Sequence, residues 1–114
     1  MTALETAPGE VIEVRPLGPA LAGTASSTLV KAPNLEVRRL VLPRGREVPT
    51  HTAPGEITVQ CLEGRITFTA EGITHTLEAG QMLYLAPEVP HSLVGLEDSS
   101  VLVTKLLPTD RSAS

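Results

Sequence analysis

Aromatic residues are nearly missing from this sequence. Its 114 positions hold one Phe, one Tyr and no Trp, the two being Phe68 and Tyr84. A platform of stacked aromatics for single-stranded nucleic acid is therefore excluded. Positive charge is also in deficit: nine Lys and Arg stand against 13 Asp and Glu, a formal net charge of −4. That balance works against an electrostatic grip on phosphates, and no nucleic-acid partner is expected. The seven arginines are scattered and read as solvated strand faces. Cys61 is the sole cysteine, which rules out an intrachain disulfide and a Cys-rich zinc site. No apolar run approaches the ~20 residues that span a bilayer, so no membrane partner is expected. The opening MTALETAPGE lacks the basic region and apolar core of a secretory signal, and a cytoplasmic location is the expectation.

Helical periodicity is missing too. Ten prolines and nine glycines interrupt every stretch that could sustain a 3.6-residue period. What is present is regular turn punctuation. Gly64, Gly72 and Gly80 fall eight residues apart, in LEGR, AEGI and EAGQ. Between them lie short runs rich in Ile, Thr, Phe and Leu. This spacing suits antiparallel strands of about five residues joined by tight turns in which Gly accepts positive φ. Strands are predicted near 56–62, 65–70, 73–78, 81–85, 91–96 and 100–107, with another at 35–43 that ends at Pro43. Weaker candidates are 28–32 and 11–15. The fold class is all-β, a sandwich or a small barrel. One domain spans 10–107, flanked by flexible ends at 1–9 and 108–114.

Alternation assigns faces. Ile66 and Phe68 share one face of their strand, and Ile73, His75 and Leu77 share one face of the next. QMLYLAP and SVLVTKLL, by contrast, are nearly continuous apolar runs, the pattern of strands covered on both sides. In so small a domain a homodimer is the economical source of that second cover.

Two segments carry the functional signal: LPRGREVPTHTAPGEITVQCLEG (42–64) and LEAGQMLYLAPEVPHSLVGLEDSSVLVT (77–104). Gly45 is followed after five residues by His51, and the segment closes at Gly64. In the second segment Gly80, Pro87, Pro90 and His91 stand in order. Together these resemble the two motifs of the cupin superfamily, over roughly residues 35–107. The resemblance implies a small antiparallel double-stranded β-helix, a jelly-roll-like barrel. It also implies one divalent transition metal (Fe, Mn, Ni, Cu or Zn) held inside by three histidines and a glutamate, with open positions for substrate. This sequence departs from that set. His51 and His91 keep the first and last histidine positions, but Ala53 and Ile57 occupy the second histidine and glutamate positions. Glu56 is one residue off, on the other face of a strand, and returns only if a bulge near Pro54 and Gly55 shifts the register. His75 is a candidate third metal ligand if its face points inward.

Two functions follow from this donor set. The first is a small stand-alone cupin that binds a small molecule in a pocket lined by His51, Ala53, Ile57, Val59, Cys61, Tyr84 and His91, around a degenerate two-histidine metal site. The second is a metal-dependent enzyme of dioxygenase, isomerase or decarboxylase type, anchored by His51 and His91 and completed by His75 or Glu56. A regulatory domain of a larger system is a third. No phosphate loop, serine elbow or HExxH motif offers other chemistry. Glu97 and Asp98 fit a polar turn, and Cys61 fits a small buried hydrophobe.

Overall fold

The computed structural model describes residues 6–108. Among them, a 3₁₀ helix (Gly18–Gly23) precedes β1 (Ser27–Ala32), β2 (Leu35–Leu42), β3 (Glu47–His51), β4 (Ile57–Glu63), β5 (Arg65–Ala70), β6 (Ile73–Glu78), β7 (Met82–Leu85), β8 (His91–Gly95) and β9 (Ser99–Leu106). A sheet ordered β1-β2-β9-β4-β7 packs on one ordered β3-β8-β5-β6, and all pairings are antiparallel. From β2 onward the chain changes sheet at nearly every turn, and only the β5–β6 hairpin stays within one. That winding is the double-stranded β-helix expected from the sequence. None of the described helices is long and apolar enough to cross a membrane.

Turn chemistry holds the winding in place. Gly64 alone joins β4 to β5 across the two sheets, at φ 80°. A Cβ there would run into the Ser99 hydroxyl and the Asp98 carbonyl, so both the dihedral and the space demand glycine. The core between the sheets comes from alternate residues, including Ile57, Val59 and Cys61 of β4, Ile66 and Phe68 of β5, and Val101 and Val103 of β9.

The prediction of strands missed β3 and placed one at 11–15 where none forms. In the second case the pattern is right but no strand lies alongside to pair with: Val11 is 97% exposed. This segment serves instead as a cover. The Arg15 carbonyl accepts from Arg39 Nη2 at 2.8 Å, and the Glu63 carboxylate accepts from the backbone N–H groups of Leu17 and Gly18. Glu63 also accepts from Ser100 of β9. The chain's own N-terminal segment thus covers part of the outer side of β9. Arg39 is buried, against the expectation that the arginines lie on solvated faces. Residues 1–5 and 109–114, most of the ends expected to be flexible, lie outside the described residues. Thr6 donates its backbone N–H to Leu29 of β1.

Candidate functional site

The site begins with an irregularity in β3. Val48 pairs with Leu93 of β8, and His51 pairs with His91, so three steps on β3 match two on β8. Residues directly opposite one another share a face. Without the extra residue His51 would point away from Val48, into solvent. The bulge at Pro49 and Thr50 brings it beside His91 at the mouth of the cavity, where it stays exposed to solvent. Proline suits this place on an edge strand because it has no N–H to offer the ladder.

The two imidazoles are held alike. His51 Nδ1 lies 2.9 Å from the Pro49 carbonyl oxygen, and His91 Nδ1 lies 2.9 Å from that of Val89. A carbonyl only accepts, so each Nδ1 carries the proton and each Nε2 presents a lone pair. The ring centroids are 4.2 Å apart, and His91 stacks on Phe68 at 5.5 Å. Burial pushes the His91 pKa below its ordinary value. The Val89 carbonyl opposes this, while the positive charge of Lys105, and that of His51 whenever it is protonated, add to it.

Across from the pair, the five-stranded sheet contributes two cations. Lys105 stands opposite Ile57, and Arg38 stands opposite Val103, so both share the inward face of the core residues. All four, with Val59, Leu93 and the histidines, line a cavity of about 260 Å³. Among the described residues no Asp or Glu lines it. Arg38 Nε is buried and finds no hydrogen-bond partner among the described residues. Leaving such a donor unsatisfied costs roughly 1–3 kcal/mol, more for a charged group. Lys105 Nζ is 3.8 Å from Glu36, whose carboxylate Lys31 also approaches at 3.3 Å.

Of the residues expected in the pocket, His51, Ile57, Val59 and His91 line this cavity. Ala53 and Cys61 are buried in the neighbouring core, and burial pushes the Cys61 thiol pKa up. Tyr84 is 62% exposed on the outer side of β7. His75 is opposite Phe68 on edge strand β6 and lines a different hollow, a groove of about 560 Å³ between β6 and β7. Phe68 therefore lies between His75 and the histidine pair. Glu56 lines an outer groove with Thr58 and Tyr84, and no bulge returns it to the interior. Sequence reasoning missed Arg38 and Lys105. The signal was there: Arg38 alternates with Leu40 and Leu42, and Lys105 with Val101 and Val103.

Comparison with known proteins decides the family. The Cupin domain model matches residues 38–105, more than half of the chain. The chain belongs to the cupin family. Among solved structures it is similar to a conserved protein of unknown function from Streptococcus pyogenes (29% identity, TM-score 0.69, 73% of each chain covered). It is also similar to a cupin superfamily protein from Desulfitobacterium hafniense (18% identity, TM-score 0.74, 86% of this chain and 95% of that one). An RmlC-like cupin with a double-stranded β-helix fold from Methanocaldococcus jannaschii gives 19% identity and TM-score 0.74, over 93% of this chain and 100% of that one. The last two likenesses speak to the fold alone. No curated protein matches the chain.

Membership in the cupins implies a divalent metal, and the donors can be tested against it. His51 and His91 line the cavity with Nδ1 of each engaged by a carbonyl, and at the other two positions where the resemblance places ligands stand Ala53 and Ile57, both buried. Among the described residues no three His, Cys, Asp or Glu side chains come together as ligands. Arg38 and Lys105 line the same cavity and would repel a cation. Charge and ligand count both disfavour a tightly held ion. The residues present do not fit a resident metal.

Proposed function

We propose that this cupin is a binding module that takes a small molecule into the barrel, where His51 and His91 accept hydrogen bonds from it through their Nε2 atoms. The observation that carries the reading is the pair of matched imidazoles, both fixed with Nε2 free beside an otherwise mostly apolar cavity. Its volume of about 260 Å³ is near the lower end for small-molecule sites, so the ligand is small. The metal-dependent enzyme is the second reading. Its support is the Nδ1–carbonyl bond on each histidine, the usual way a metal-binding imidazole is oriented.

Thermal-shift screening with small acids, phenols and sugars tests the proposal. A ligand at 100 times its Kd stabilises by about 2.7 kcal/mol, and the shift should vanish in His51→Ala and His91→Ala. A screen without any stabilising compound, or shifts indifferent to both substitutions, would overturn it. Near-stoichiometric transition metal in untagged protein, lost in both variants, would move the assignment to the enzyme.

The proposal includes a homodimer through the β6–β7 side, supported by the exposure of Ile73, Met82 and Tyr84 there (57%, 56% and 62%). It also includes a cytoplasmic location, supported by a lone cysteine kept as a free thiol.

A further inference from the structure

We infer that the cavity selects a small organic monocarboxylate, its carboxylate held by Arg38 and Lys105 and its apolar body packed against Ile57, Val59 and Leu93. This rests on the small-molecule reading above and names the chemical class of the ligand. Three observations carry it.

Among the described residues the cavity has cationic side chains and no anionic one. Lys105 shares Glu36 with Lys31 at the margin, whereas Arg38 forms no ion pair among the described residues. The net demand is for a single negative charge. Arg38 Nε is a buried donor without an acceptor. The guanidinium offers its donors as a planar fork, and a carboxylate matches that fork with two parallel hydrogen bonds. An anion so placed would complete the one buried polar side-chain atom left unsatisfied among the described residues.

The rest of the lining decides the remainder of the ligand. Leu40, Val48, Ile57, Val59, Leu93 and Val103 are apolar, and Ser26, the one hydroxyl of the lining, already accepts from the Val41 N–H, so the wall between the cations and the histidines suits an apolar body better than a sugar ring. The cavity holds the equivalent of about nine waters at ~30 Å³ each, room for a short-chain or single-ring acid. The histidine Nε2 atoms are acceptors, so they disfavour a second carboxylate and favour a ligand whose far end carries an O–H or N–H. Inorganic phosphate leaves the apolar lining unused.

Calorimetric titration of the intact chain with 4-hydroxybutyrate, 4-hydroxybenzoate, the matched amides and inorganic phosphate tests the inference. At least one acid should bind, at least 10-fold tighter than its amide. Arg38→Met should weaken the acid by at least 10-fold and leave the amide unchanged. Arg38→Lys should fall between the two, because it keeps the charge and loses the fork. Circular dichroism establishes that each variant is folded. Should Arg38→Met fail to fold, Lys105→Met supplies the same comparison, with a loss of several-fold for the acid alone. Equal affinity for acid and amide, or acid binding indifferent to both cations, overturns the anionic class and leaves the binding-module reading standing. Phosphate binding tighter than either acid overturns the carboxylate. Binding of none of these probes overturns the monocarboxylate; if the wider screen is also empty, the binding module falls with it.

Discussion

Glu71 holds φ at 53° and Gly72 follows at 77°, so both central residues of the two-residue β5–β6 turn are left-handed. Tight hairpins favour this geometry because it matches the strand twist, but a side chain such as glutamate enters it against a penalty of roughly 1–2 kcal/mol. Asparagine tolerates the region better. Glu71→Asn should therefore stabilise the protein by about 0.5–1 kcal/mol, read as a higher melting temperature with unchanged ligand binding. A melting temperature that falls would contradict the turn assignment. The inserted residue at Pro49 and Thr50 acts on the same scale and shapes the candidate site, since it brings His51 to the face of His91. His51 itself was legible as a candidate from its spacing after Gly45, but its direction was not. In EVPTH the bulge breaks the alternation from which faces are read, which is also why β3 escaped detection.

Elements are joined by a second bulge. Cys61 pairs with Val101 and Glu63 with Ser100, so two steps on β4 match one on β9. Strict alternation would have put Glu63 into the core beside Cys61; the bulge turns it outward, to the N-terminal segment. Burial pushes the Glu63 pKa up, but the N–H groups of Leu17 and Gly18 and the Ser100 hydroxyl outweigh it, and the net value lies below the ordinary one. In the unfolded chain the carboxyl takes up its proton at higher pH than in the fold. Its contribution is therefore complete above the ordinary glutamate pKa of about 4.3 and is lost as pH falls through the lower folded value. Glu63→Gln should cost about 1 kcal/mol at neutral pH and flatten the acid limb of stability, measured by denaturant unfolding from neutral pH into that range. An acid limb identical to that of the unsubstituted protein would show that Glu63 does not fasten the segment.

For the whole molecule the open question is what lies against β7. The sequence pattern of MLYL predicts cover on both faces, yet Met82 and Tyr84 are exposed in the single chain. For β9, Glu63 and the segment ahead of β1 supply part of the outer cover. The proposed homodimer over the β6–β7 edges would cover Ile73, Met82 and Tyr84. Light scattering after size exclusion should give twice the 12.0 kDa chain mass, and the Met82→Lys, Tyr84→Lys double variant should run as a folded monomer. An unsubstituted protein that is monomeric at micromolar concentration would rule out this dimer.

The sequence by itself determined the all-β class, eight of the nine strands among the described residues, the turns at Gly64, Gly72 and Gly80, the likeness to cupins and the two histidines. These are local properties: a period-two pattern, glycine where φ must be positive, and a motif spacing short enough to survive in one chain segment. Tertiary structure alone decided what surrounds the histidines. Arg38 and Lys105 lie 67 positions apart, on the two paired strands β2 and β9, and they share a face only because of the β2–β9 register. His75 alternates like an interior residue but belongs to an edge strand, where the inward face opens on a groove. Composition could not show this, because whether a charged residue at the end of an apolar stripe meets solvent or a cavity depends on where the facing sheet ends. The facing β3–β8 pair places His51 and His91 opposite that end, so the site takes its charge from one sheet and its imidazoles from the other.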